Sequence, residues 1–511
     1  MRLLGILLVL AGVGTGALAQ TNAPAEIRQL SLQQAIQLAL KHNLDLQIDR
    51  YNPLVSLYNL KANYGDYDPV LNASGSFSHN EAGSQILGGG FTIPGSVSDT
   101  ESFSGDLGGK TPWGMSYDLA GNAADSYGHS FQPVTDAQGH VIGLAPIPFE
   151  NTRGSAGLTV TQPLLRNFWI DSTRLNIHVA KNRLKYSELT LKLQMMVTLT
   201  ALEQAYYDLI YNRENLLVQQ KAVELAERLV MENRKRLEVG ALAPLDLQSA
   251  EAQAASSRAA VFAARSQLDT QERLVKSLIT DHYLDDWVNV PIEPVEKLTA
   301  IPPVVNLRDS WSKGLAQRPE LQQAKLDVER IGIVLKYDRN QLYPELDVFG
   351  SYGFNGSGKE FSDALYDIQQ TDRAFWSYGG RISVPLSNVR ARSNYKADKA
   401  TLQQLVLVLK QLEQNTMILI DNDIGTIRAN YDQVQATRAA REFQEAALSA
   451  EQKKLESGKS TTYTVLQVQR DLTSARGSEI QALDAYNKGL SQLSLHEGST
   501  LDRLNVHLEV K

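Results

Sequence analysis

The chain contains no cysteine. That excludes disulfides, a thiolate zinc site and a lipid-modified N-terminal cysteine, whatever the redox conditions. Beyond its leader it has no run of about 20 apolar residues, so no transmembrane helix is expected in the body of the chain. Charge of one sign is also lacking: 50 Lys and Arg stand against 57 Asp and Glu, dispersed along the sequence. Such a balance argues against a nucleic-acid partner. The eight histidines form no HxxxH or HExxH pair, so no metal or other cofactor is expected. Gly88-Gly-Gly90 has no Lys-Ser/Thr after it and reads as loop, not as a phosphate cradle. Asp285-Asp286 and Asp421-Asn-Asp423 pair acids that point in different directions on a helix, which fits a solvated face better than acid/base chemistry. No motif of an enzyme is present.

What the chain does have is a repeat. Arg236-Leu-Glu-Val-Gly240-Ala-Leu-Ala-Pro-Leu-Asp246 returns as Lys454-Leu-Glu-Ser-Gly458-Lys-Ser-Thr-Thr-Tyr-Thr464, offset by 218 positions. Each copy is a lone glycine in a run of helix formers followed by a short Ala/Ser/Thr/Pro segment, the pattern of one helix stopping and another starting. Both therefore read as tips of helical hairpins. Gln162-Pro163-Leu164 likewise pairs with Val384-Pro385-Leu386, Asp68-Pro69 with Tyr343-Pro344, and Leu44-Asp45-Leu46 with Pro319-Glu320-Leu321. The chain is a tandem duplication, and the change of offset places roughly 50 extra residues between Pro69 and Pro163.

Residues 1–19 carry Arg2, an apolar run and Ala17-Leu18-Ala19, the pattern of a removable export signal. A helix is expected from Ser31, as N-cap, to about Ala62. After Pro69 the period changes to two, with Leu71, Ala73, Gly75 and Phe77 alternating with polar residues. The same signature precedes Pro163 (Ala156, Leu158, Val160), follows Pro344 (Leu346, Val348, Gly350, Tyr352, Phe354) and precedes Pro385 (Trp376, Tyr378, Ile382, Val384). Two strands per repeat, four per chain, follow, each bounded by a proline where a missing N–H costs least. In the insertion, Phe103 to Leu107 and Trp113 to Leu119 suggest an extra hairpin, and residues 122–128 and 135–148 read as exposed loop. Phe77, Phe103, Trp113, Tyr117, Tyr352, Phe354, Phe375, Trp376 and Tyr378 are candidates for an interfacial aromatic girdle.

Between Pro163 and Gly240 there is neither Gly nor Pro, so a helix on the order of 100 Å long is expected at about 1.5 Å per residue. The returning segment steps by three and four through Leu247, Ala250, Ala254, Ser257, Val261, Ala264, Leu268, Gln271, Val275 and Leu278, a coiled-coil seam. The second repeat matches it through Val465, Val468, Leu472, Ala475, Ala482, Tyr486 and Leu493, with Glu479 and Gly489 as flaws. The implied organisation is an export signal (1–19), repeat 1 (20–285), a linker (286–318) with a short helix near 306–317, repeat 2 (319–495) and a tail (496–511). Four half-buried strands leave an open sheet, so a membrane barrel requires several copies; three give about twelve strands, or about eighteen with the inserted hairpin.

With Thr161-Gln-Pro-Leu-Leu-Arg-Asn167 closing the first strand pair and the two tips in register with the prolines, the chain resembles the TolC family of outer-membrane efflux proteins over essentially its whole mature length. The resemblance implies an α+β membrane protein. It would be a homotrimer with a transmembrane β-barrel in the outer-membrane lipid, continued by a long periplasmic α-helical coiled-coil barrel. It further implies export through a tripartite efflux or type I secretion system, with a periplasmic adaptor (membrane fusion protein) and, through it, an inner-membrane RND or ABC pump as partners. The docking tips are then Val239, Gly240, Ala241, Ser457, Gly458 and Lys459, and the periplasmic gate is Asp246, Ser460, Thr464, Gln467 and Arg470. Members with an acidic gate carry Asp at the positions of Thr464 and Gln467 and a base at that of Ser460; all three are neutral here, so Lys459, Glu456 and Arg470 become candidates for holding the entrance shut. The rival reading is a secreted trimeric coiled-coil structural protein without a channel, which has no need of two proline-bounded strand pairs.

Overall fold

The computed structural model describes residues 28–86, 92–138, 141–240, 243–283, 287–288 and 290–506. The export signal, Gly88-Gly-Gly90, Ala241 and Asp285-Asp286 lie outside the described residues. In chain order the elements are β1 (Arg28–Leu30), α1 (Leu32–His42), α2 (Leu44–Asp49), α3 (Tyr51–Tyr64), β2 (Val70–Glu81), β3 (Gln85–Ile86), β4 (Thr92–Ile93), β5 (Val97–Lys110), β6 (Ser116–Thr135), β7 (Val141–Pro163), α4 (Ser172–Glu238) and α5 (Pro244–Ile279). There follow β8 (Ile292–Pro294), α6 (Leu307–Gln317), α7 (Pro319–Gln341), β9 (Glu345–Gly358), α8 (Phe361–Gln370), β10 (Ala374–Ser383), α9 (Val389–Glu456), α10 (Thr462–Glu497) and α11 (Thr500–Arg503). Among the described residues no helix is long and apolar enough to cross a membrane. Two compact units divide the chain, one of 48–194 with 315–417, the other of 1–47, 195–314 and 418–511.

The first unit holds a six-stranded sheet in the order β10-β9-β7-β6-β5-β2, antiparallel throughout. To the four proline-bounded strands the expected hairpin adds β5 and β6, which lie in the sheet between β2 and β7. Residues 122–128, expected as loop, pair with 98–104 on one side and 149–155 on the other. Much of 135–148 is likewise strand, since β7 starts at Val141. Small polar side chains hide the period of two there, but the main-chain ladder needs only a partner on each side.

Register sorts the side chains onto two unlike faces. On one, Leu71, Leu107, Leu119, Leu158, Tyr352 and Trp376 stand in a single row across all six strands. They are largely uncovered, from 37% exposure at Leu107 to 76% at Leu71. On the other, polar side chains lace neighbouring strands: Ser74 to Ser104 (2.7 Å), Ser76 to Ser102 (2.7 Å), Thr100 to Ser126 (3.1 Å), Ser155 to Asn122 (2.5 Å) and Ser351 to Ser377 (2.6 Å). Phe375, proposed above for the girdle, belongs to this polar face. There it covers Gly353, where an added Cβ would lie 2.6 Å from its ring. The same cross-strand arrangement sets Phe103 on Gly75, Tyr117 on Gly109 and Phe349 on Gly379, each ring filling the space a glycine leaves. Amphipathic α8 folds back onto the apolar face, with Phe361 edge-on to Phe103 at 5.6 Å.

The second unit is built from helical hairpins. Burial follows the expected seam: Ala250, Ala254, Ser257, Ala264 and Val275 are buried, with the remaining seam positions half-buried. The two flaws in α10 have partners on α9. Glu479 pairs with Arg438 at 3.3 Å and Arg441 at 2.5 Å, and Gly489 makes room for Ile427, whose Cγ1 would lie 3.2 Å from an added Cβ. The helix expected from Ser31 to Ala62 is three helices. Ser31 does cap the first in a full capping box with Gln34, but Asn43 turns extended after His42 and spends its amide on Leu46 N (3.0 Å) and Leu278 O (3.0 Å). β1 pairs in parallel with β8, which no periodicity announced. At the far end α10 runs on to Glu497, and Arg503 of the short α11 reaches Glu203 of α4, a residue with 0% exposure. Only Glu203 of this pair is buried, Arg503 being exposed on its outer side, so Arg503→Ala, which leaves the buried acceptor without its donor, should cost about 1–3 kcal/mol. The melting temperature should fall accordingly, and Glu203→Met combined with Arg503→Ala should recover most of the loss; an unchanged melting temperature in the single variant would remove this pair from the fold's support.

Candidate functional site at the helical tips

The two repeated stretches end their helices in the same way. α4 stops at Glu238 and α9 at Glu456, and the glycines that follow take left-handed backbone, φ +70° at Gly240 and +74° at Gly458. Gly240 N donates to Leu237 O (2.9 Å) and Gly458 N to Leu455 O (3.2 Å), while Lys459 N closes a wider turn on Lys454 O (2.8 Å). This is how an α-helix satisfies its last carbonyls when the chain must turn at once. The return helices then start differently: Pro244 occupies the first turn of α5 behind Ala243, whereas Thr461 caps α10 by accepting from Thr464 N (3.3 Å).

Beneath the turns Leu229, Leu448, Leu455, Val465, Leu466 and Leu472 form one apolar cluster. It holds the two hairpins side by side, joined by Arg236, which donates to Leu455 O (3.3 Å). The tips themselves are open. Val239 is exposed, as are Gly240, Ser457, Gly458 and Lys459, and nothing stands within 4 Å of a Cβ added at either glycine.

The five gate candidates do not make one cluster. Asp246 sits in the first turn of α5, where a carboxylate complements the partial positive charge of the helix start. Ser460 donates to Glu451, which Lys454 also reaches at 2.9 Å. Hydrogen bonds from Ser460 first and Lys454 second hold the Glu451 carboxyl below the usual range. Thr464 is committed to the cap, its hydroxyl 2.9 Å from that of Thr461. Gln467 bridges opposite charges, accepting from Arg470 (2.8 Å) and donating to Asp471 (3.2 Å). Asp471 went unremarked in the sequence, although its place four residues after Gln467 puts both on one helix face. Of Lys459 and Glu456, neither joins this network.

A family model described as outer membrane efflux protein matches residues 149–279 and 311–498. Outer membrane efflux protein BepC of Brucella suis is 23% identical over 341 residues, covering 66% of this chain and 71% of the relative. Among solved structures, the CmeC outer membrane channel of Campylobacter jejuni superposes with a TM-score of 0.65 at 15% identity, over 92% of this chain and 86% of that one. VceC, an outer membrane protein of Vibrio cholerae, gives 0.65 at 16% identity, over 91% and 96%. At such identities the likeness is one of fold.

Proposed function

Because the chain belongs to the outer membrane efflux protein family and is an outer-membrane protein, we propose that it is the outer-membrane channel of a tripartite efflux or type I secretion system. Three copies close their sheets into one barrel, with the apolar faces to lipid and the laced polar faces to water. The long hairpins extend into the periplasm, and the open tips at 239–240 and 457–459 receive a periplasmic adaptor that links them to an inner-membrane RND or ABC pump. Export is the work, and no bond is made or broken in the cargo.

The observation that carries this reading is the sheet. An antiparallel sheet with an uncovered apolar row on one side and hydroxyls on the other has no place in water alone, and its two unpaired edges have no place in lipid. Closure with further copies answers both. In mild detergent the purified protein should scatter light as a trimer, and membranes washed with high salt and carbonate should retain it. A monomeric mass, or release by the wash as expected of a secreted coiled-coil scaffold, would overturn the proposal.

A further inference from the structure

We infer that the inserted hairpin is part of the pore wall, so that three copies close a barrel of eighteen strands and not twelve. This rests on the trimeric channel proposed above and deepens it. The hairpin could instead be a flap outside a twelve-stranded wall, but its side chains are patterned as wall. Leu107 and Leu119 continue the row from Leu71 to Leu158 without a step, and they are 37% and 52% exposed, with no layer of protein over them. On the opposite face Ser102 and Ser104 bond to β2 and Asn122 to β7. β2 and β7 are thus each laced to the hairpin, and not to one another.

The edges fit as well. Strand direction alternates across the six strands, so an added hairpin keeps β2 and β10 running opposite ways, and β10 of one copy can meet β2 of the next as an antiparallel pair. Both edges lie open along their lengths, and Trp376 is 67% exposed. Barrel diameter grows roughly linearly with strand number, so eighteen strands give about 1.5 times the diameter and roughly twice the cross-section of twelve. Charge on the polar face nearly cancels: Asp106, Asp118, Glu345 and Asp347 stand against Lys110, Arg153 and Arg381, with Arg381 paired to Asp347 at 3.0 Å. The barrel is then a wide, hydroxyl-lined conduit suited to bulky cargo of either sign.

The absence of native cysteine makes the test direct. Single variants Leu107→Cys, Leu119→Cys and Ser104→Cys, labelled in liposomes, should divide: a quencher confined to the lipid phase dims labels at 107 and 119, whereas a water-soluble thiol reagent modifies only 104. Imaging of the unmodified protein in nanodiscs should show eighteen strands around a three-fold axis. A trimer of twelve strands with water-accessible labels at 107 and 119 overturns this inference and leaves the channel standing. Particles without a closed three-fold barrel overturn both.

Discussion

Export should be lost when Gly240 and Gly458 are both replaced by valine, while trimers should still form. Both glycines hold left-handed backbone, a region that costs an L-residue about 1–2 kcal/mol and a β-branched one more. Since nothing stands within 4 Å of the added Cβ, the side chain meets no obstacle, and the penalty falls on the turn. The helix ends must then close differently, and the exposed residues beside them, Val239, Ser457 and Lys459, should move out of the shape that the proposed adaptor would read. Of the apolar cluster beneath, only Leu455 belongs to a turn being changed, through its carbonyl, and its buried side chain is untouched, so assembly survives. Asparagine tolerates left-handed backbone, and Gly240→Asn with Gly458→Asn should keep most of the export that the valines remove. Adaptor capture and cargo efflux measured together, with sizing for the trimer, decide the matter; normal export by the double valine variant would end the docking role.

The second large effect concerns ions at the entrance. Carboxylates converging from three chains in a narrow pore attract cations strongly, because their fields add where screening is poor. Thr464 and Gln467 bring no charge, and Thr464 is held in the helix cap. The nearest acid on that face, Asp471, shares Gln467 with Arg470, so a cation stands beside it. Single-channel current should therefore resist block by multivalent cations from the periplasmic side, and Thr464→Asp with Gln467→Asp should lower the blocking concentration by about tenfold or more, since even in bulk water a unit charge about 4 Å from another is worth about 1 kcal/mol. If the unmodified channel is already blocked at low concentration and Asp471→Asn relieves it, Asp471 forms the ring and this account of a neutral entrance fails.

How far the fold could be read depended on what held each part together. Where side-chain packing dominates, the pattern was legible: the steps of three and four from Leu247 to Leu278 fall on buried or half-buried positions, and Gly240 and Gly458 mark the turns. Where main-chain bonding dominates, the pattern was silent. Residues 122–128 look like loop because Asn, Ala, Asp and Ser carry no period, yet they are paired on both sides. Phe375 was misplaced because it is the immediate neighbour of Trp376, and successive residues of a strand point to opposite faces; its ring lies on Gly353 of the polar face, a partner 22 residues away in sequence. Parallel pairing of β1 with β8 joins segments too distant for any local signal. At the tips the turns could be foreseen, but the bonds of Ser460, Thr464 and Gln467 depend on rotamers that spacing does not encode.

The aromatic rings seated on glycines have one further consequence, for how such a wall comes to be threaded correctly. A slip of one residue between strands exchanges the two faces and is punished at once by water on leucine. A slip of two is another matter, since it returns every side chain to its own face. The hydroxyl lacing offers little objection, because Ser74 and Ser76 would find Ser102 and Thr100 as readily as their own partners. Phe103 does object: moved by two, its ring loses the hollow at Gly75 and meets the methyl of Ala73 or the ring of Phe77. Tyr117 on Gly109 imposes the same condition between β5 and β6, and Phe375 on Gly353 with Phe349 on Gly379 impose it twice between β9 and β10. A wall one residue thick has no interior in which errors of alignment could be felt, and these four pairs give it a means of detecting them.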